Sequence, residues 1–192
     1  VTVIEALPQI LPIEDEDISK ELASLMKKRK INIHTNTLVS SISSNNDGVI
    51  VTTKDGLNIN ADKAIIAIGV QGNVENIGLK KTEIKIENGW IKTDSFMKTS
   101  IDNIYAIGDV AGPPWLAHVA SAEGIIAVEK ICGLKPSEMR YDNIPGCTYS
   151  IPEVASVGLT EKQAKQNGYD IKIGKFPFRA LGKSMATSEI DG

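Results

Sequence analysis

An α/β fold is predicted for this chain, on three observations. A β-branched opening strand, an amphipathic helix and a second short strand follow one another over residues 1–33. Ala64-Ile-Ile-Ala-Ile68 is an unbroken apolar run ending in Gly69, the pattern of a strand buried on both faces. Asn103-Ile-Tyr-Ala-Ile-Gly-Asp-Val110 reads as another short buried strand, turning at Gly108-Asp109 and leading through Pro113-Pro114 into a helix that begins near Trp115. Strands alternating with helices build parallel sheets, whose strands deliver their carboxyl ends to a ligand crevice.

Val1-Thr-Val-Ile4 is the first strand, and Glu5 stands at its carboxyl end. A Pro-punctuated loop follows, then a helix over about Asp15 to Arg29, with Ile18, Leu22, Leu25 and Met26 at helical spacing. Acidic residues 14–17 crowd its start and basic residues 27–30 its end, and both complement the helix dipole. Ile31-Asn-Ile33 completes a β-α-β unit, right-handed by default if its strands share a sheet. From Leu38 to Ile59 the pattern changes to Leu38–Ile42, Val49–Thr53 and Leu57–Ile59, split by Asn45-Asn-Asp-Gly48 and Asp55-Gly56. Those turn pairs predict an antiparallel three-stranded meander.

The helix after Trp115 carries Leu116, Val119, Ala120, Ile125, Ile126, Val128 and Ile131, apolar on more than one face. It is expected to lie buried between layers and to end at Gly133. Trp90 reads as a packing residue. Further on, Thr160-Glu-Lys-Gln163 is a capping box opening a helix to about Gln166, and Ile171 to Phe178 reads as a strand.

Composition is that of an ordinary globular protein, 42% hydrophobic and 23% charged. A net charge of −3 gives no electrostatic case for binding nucleic acid or an anionic membrane. No apolar run approaches the roughly 18 residues that span a bilayer. Cys132 and Cys147 match neither a C-x-x-C nor a C-x-x-x-x-C redox centre, and read as small buried or half-buried residues. The chain opens inside a strand and stops at Asp191-Gly192, so it is expected to be a fragment of a longer polypeptide.

The candidate site is the strand–turn–helix at residues 103–118. It presents the Asp109 carboxylate close to the free amides at the start of a helix, a combination suited to the hydroxyls and polar ring atoms of a nucleotide cofactor. By itself a Gly-Asp pair after a strand is often only a turn. Likewise, Glu5 can be a plain exposed strand-end glutamate, although a carboxylate there suits ribose hydroxyls and repels the 2′-phosphate of NADP.

Ala106-Ile-Gly-Asp-Val110, Leu116-Ala-His118 and Ile151-Pro-Glu-Val-Ala155 resemble segments of the flavoprotein disulfide reductases, and Leu-Ala-His favours their dihydrolipoamide dehydrogenase branch. The fold this implies is α/β, with parts of two Rossmann-like, FAD/NAD(P)-binding domains plus the start of an α+β dimerisation domain. Residues 1–92 would be the later part of the NAD-binding domain with its inserted meander, 93–140 the second segment of the FAD-binding domain, and 141–192 the start of the interface domain. The implied cofactors are FAD and NAD. The resemblance gives Asp109 a hydrogen bond from the ribityl chain of FAD and sets backbone groups of Trp115, Leu116, Ala117 and His118 at the pyrimidine edge of the flavin. It places Glu5, Val39 and Gly69 at the NAD site, Val39 against the adenine. Where the family usually follows this glycine with basic residues and a proline, Val70-Gln71-Gly72-Asn73 stands here.

No catalytic residue is expected in the chain, because the redox cysteine pair and the acid–base histidine of the family lie outside it. His118 is read as a positional residue beside the flavin. The implied parent oxidises protein-bound dihydrolipoamide with NAD as a homodimer, served by lipoylated acyltransferase subunits of 2-oxo acid dehydrogenase complexes. Its place would be the bacterial cytoplasm or the mitochondrial matrix, and the fragment alone would be inactive. Two alternatives stay open: another disulfide reductase of glutathione or mercuric type, or a non-catalytic nucleotide-binding module.

Overall fold

The computed structural model describes residues 1–192. In chain order its elements begin with β1 (Thr2–Ile4), α1 (Glu16–Lys28) and β2 (Asn32–His34), then β3 (Val39–Asn45), β4 (Gly48–Thr53) and β5 (Asn58–Ala61). There follow β6 (Ile86–Glu87), β7 (Trp90–Ile91), α2 (Ala117–Ile131), β8 (Gly146–Thr148), β9 (Val154–Ser156), α3 (Glu161–Gln166) and α4 (Gly182–Thr187). They fall into two units, Val1–Ile66 with Pro145–Gly192, and Ala67–Ile144.

In the first unit β1 and β2 pair in parallel, Thr2 opposite Asn32 and Ile4 opposite His34, with α1 between them in sequence. This is the expected β-α-β unit. Asp15 caps α1 by accepting from the Asp17 N–H (3.2 Å), and Gln9 Nε2 ties the preceding loop to the carbonyls of Leu11 (2.7 Å) and Glu14 (2.9 Å). Leu22 and Leu25 are buried, whereas Ile18, on the edge of the apolar stripe, is half exposed. The meander forms as predicted, β4 in the centre and antiparallel to both neighbours. Gly48 is required at its first turn. Its φ is +140° and a Cβ there would lie 2.5 Å from the Ala61 carbonyl oxygen.

The later part of the same unit holds the antiparallel pair β8–β9 and the helix α3, opened by the predicted Thr160–Gln163 capping box. Asp15 serves this part too, because its second oxygen accepts from the Glu161 N–H (2.9 Å). Arg29 Nη1 donates to the Ile151 carbonyl (2.9 Å), and Lys175 pairs with Asp17. Three expectations fail in this unit. Ile171 to Phe178 joins no ladder, and Phe178 already opens a 3-10 turn. The run from Ala64, which crosses out of the unit at Ile66, forms no strand at all, and Ile65 and Ile68 are more than 90% exposed. Cys147, with Cys132 in the second unit, is a free and exposed thiol rather than a buried residue. The first two share one cause. An apolar run becomes a buried strand only when neighbouring strands take its N–H and C=O groups, and neither run has such a neighbour here.

The second unit is built around Met97, Ala106, Val119 and Ala127, all buried, with Ile91 of the β6–β7 hairpin. The expected strand at Asn103 to Val110 is reduced to one bridge, Tyr105 with Lys98. The Ala106 N–H donates to the Met97 carbonyl (3.0 Å), and Gly108 to Ala111 then turn as a single 3-10 turn. Helix α2 begins at Ala117, two residues beyond Trp115, and closes at Gly133, whose φ is +78°. It is not buried all round. Val119, Glu123 and Ala127, spaced four apart on one face, are buried, while Ile125, Val128 and Ile131 are exposed. No helix is long and apolar enough to cross a membrane.

Candidate functional site

The turn at Gly108 shows why its residues are what they are. Gly108 has φ +69°, and a Cβ on it would stand 3.1 Å from the Ala120 Cβ of α2. One turn further along the helix, a Cβ on Gly124 would stand 3.3 Å from Ile107 Cδ1. Small residues on α2 and glycine in the turn thus let the backbone at 107–108 lie close on the helix.

A carboxylate fastens that contact. Glu123 is only 4% exposed, and its Oε2 accepts from the Gly108 N–H at 2.6 Å. Its Oε1 accepts from the Tyr141 hydroxyl at 2.7 Å. Although 45% of Tyr141 is exposed, its hydroxyl end turns inward to Glu123 and lies 3.8 Å from Met97 Sδ. Desolvation first, and the neighbouring carboxylate second, hold the phenol far above a tyrosine's ordinary value. The neutral donor is therefore fully present below the ordinary phenol value and is lost only as pH rises through the raised one. Titrated by phenolate absorbance, one of the four tyrosines should ionise after the others, and Tyr141→Phe should remove that late component.

Asp109 follows directly, exposed in the first turn of the 108–111 segment that packs on α2. At the N-terminus of α2 the cap position is Leu116, which offers no side-chain acceptor to the first-turn amides. His118 is exposed in that first turn. A carboxylate and an uncapped helix start form a donor and acceptor set that fits the ribityl hydroxyls and the acceptor-rich pyrimidine edge of a flavin. Trp115 is 38% exposed and lies against Trp90, ring centroids 6.0 Å apart and tilted by 33°. Trp90 packs as expected, and a Cβ on Gly72 would lie 3.1 Å from its Cδ1.

The residues expected around NAD stand in different units. In the first, Glu5 is half-buried just past β1, where its Oε1 accepts from the Leu7 N–H (2.8 Å). One oxygen is thereby used in shaping the loop. Val39 begins β3, opposite Thr53, with 40% of its surface exposed. Gly69 belongs to the second unit, has φ +115°, and has no atom within 4 Å of a Cβ built on it. Within that second unit stand also Asp109, Trp115, Leu116, Ala117 and His118.

Sequence reasoning missed Glu123 and Tyr141. The signal was there for Glu123: a charged residue at the same helical spacing as Val119 and Ala127 must be buried with them, and a buried carboxylate needs donors. Nothing local pointed to Tyr141, which is brought in from 18 residues away.

Comparison with known proteins gives the family. Residues 1–124 match the family model described as pyridine nucleotide-disulphide oxidoreductase, and residues 144–192 match its dimerisation domain. The chain is 48% identical to dihydrolipoyl dehydrogenase of Zymomonas mobilis and 49% identical to that of Bacillus subtilis, over its whole length and 42% of each relative. Among solved structures it superposes on LpdA from Mycobacterium tuberculosis with a TM-score of 0.89 at 27% identity, over 98% of this chain and 41% of that one. It also superposes on the HOCl-induced flavoprotein disulfide reductase RclA from Escherichia coli with a TM-score of 0.91 at 27% identity, over 100% of this chain and 44% of that one. With the family model matched across both units and the α/β architecture in agreement, the chain belongs to the pyridine nucleotide-disulphide oxidoreductase family.

Proposed function

We propose that this chain supplies cofactor-binding segments of an FAD-dependent dihydrolipoyl dehydrogenase that oxidises protein-bound dihydrolipoamide with NAD. The observation that carries the reading is the carboxylate of Asp109 in a turn packed on a helix with an uncapped start, in a chain 48% identical along its length to such an enzyme. These residues would hold FAD, which would supply two-electron chemistry between a cysteine pair outside this chain and NAD, so that the dithiol becomes a disulfide as NAD becomes NADH with release of one proton. Asp109 accepts a hydrogen bond from the ribityl chain, and backbone groups of Trp115, Leu116, Ala117 and His118 meet the pyrimidine edge. On the nucleotide side Glu5 holds the adenosine ribose, Val39 lies against the adenine, and Gly69 lets the backbone approach. In this reading residues 1–92 serve NAD, 93–140 serve FAD and 141–192 begin the interface of a homodimer. Its partners are lipoylated acyltransferase subunits of 2-oxo acid dehydrogenase complexes, in the bacterial cytoplasm or mitochondrial matrix.

The test is dihydrolipoamide-dependent NADH formation by the full-length enzyme, with the 192-residue chain and added FAD as control. Turnover is expected from the first and none from the second, since the chain holds no closely spaced cysteine pair. Asp109→Ala should weaken FAD binding by about 1.5–3 kcal/mol, the worth of a charge-assisted hydrogen bond. Flavin retention on dilution measures it, and unchanged retention refutes the assignment. The close superposition on RclA supports a second reading, another disulfide reductase on the same scaffold. Preference for NADP, or no oxidation of dihydrolipoamide, would favour it.

A further inference from the structure

We propose that Glu123 is a positioning residue for the flavin: by holding the Gly108 N–H, with the Tyr141 hydroxyl as its second donor, it registers Asp109 against the start of α2. This rests on the reading of Asp109 as an FAD ligand. Gly108 sits at φ +69°, and glycine is the residue with the widest backbone freedom. The 2.6 Å bond from its own N–H to Glu123 fixes the 107–108 peptide plane against α2, and so the point from which the chain turns to carry the Asp109 carboxylate. The same helix carries both Glu123 and the uncapped amides, roughly 9 Å apart along its axis at about 1.5 Å per residue. One carboxylate therefore ties the acceptor half of the site to its donor half.

An aliphatic side chain at 123 would fill the space between Val119 and Ala127 but leave the Gly108 N–H and the Tyr141 hydroxyl without an acceptor. Both Glu123 oxygens are occupied, by these two donors, and the residue is almost wholly out of water. That satisfies a buried carboxylate by hydrogen bonds from two neutral donors.

The experiment is a double-mutant cycle in the full-length enzyme, reading the FAD dissociation constant by flavin fluorescence beside the melting temperature of the apoprotein. Glu123→Ala should weaken FAD about ten- to a hundredfold, by releasing the turn. In an Asp109→Ala background the same change should add no more than about threefold, because its effect passes through Asp109. Glu123→Gln should bind FAD nearly as the native enzyme does. Its Oε1 can still accept from Gly108, and its Nε2 can donate to the phenol oxygen. Full additivity of Glu123→Ala with Asp109→Ala would overturn the proposal, and so would native FAD affinity in Glu123→Ala. If Asp109→Ala alone leaves FAD affinity unchanged, the ligand reading itself falls, a result distinct from failure of the Glu123 coupling. Should Glu123→Ala not fold, Tyr141→Phe enters the same cycle; it keeps the Gly108 bond and so should weaken FAD by only about two- to tenfold, again with little added loss in the Asp109→Ala background, and additivity would overturn the proposal.

Discussion

Gly108→Val in the full-length enzyme is expected to lose bound flavin and to unfold at a markedly lower temperature. Two effects add. A β-branched residue at φ +69° carries backbone strain of about 1–3 kcal/mol. A side chain that begins 3.1 Å from the Ala120 Cβ overpacks the contact with α2 by roughly another 1–3 kcal/mol. The two can be separated, because Ala120→Gly makes room against the helix but leaves the strained φ. Thermal melting and the visible absorbance of retained flavin measure both consequences. A Gly108→Val enzyme that keeps its flavin and its melting temperature would show that the turn is not held as described.

The second large effect is expected in the first unit, in the core under α1. Leu22 is 2% exposed, and Leu22→Ala should destabilise the enzyme by about 2–5 kcal/mol through lost burial and the cavity left behind. Ile18 lies one turn earlier on the same helix but keeps 48% of its surface in water, so Ile18→Ala should change stability by less than about 1 kcal/mol. Denaturant midpoints of the two variants give the comparison. Equal losses would mean that α1 does not present the face described here.

Elements whose partners are close in sequence were legible in advance. Helix α1 ends within a residue of where its sequence predicts, because Asp15 caps it and its charges match its dipole. The meander followed from its turn residues, with Gly48 where the backbone admits no other residue. The Thr160–Gln163 capping box came directly from its spacing. At the candidate site, Asp109 and the helix after the prolines were visible as a carboxylate next to a helix start, and the motifs around them carried the family.

What failed was burial that depends on partners distant in sequence. Ile65 and Ile68 carry the pattern of an inner strand and lie in water, and the apolar run at 171–178 joins no sheet. Helix α2 is apolar on more than one face, yet only the face bearing Val119, Glu123 and Ala127 is buried. By itself, then, the sequence determined the local elements, the turn chemistry and the family, because capping, periodicity and glycine geometry act over a few residues. Only the tertiary structure decided which apolar faces are covered, and that Glu123 grips Gly108 and Tyr141. Those contacts join residues 15 and 18 positions apart, and their stability comes from holding the Glu123 carboxylate almost wholly out of water between two donors.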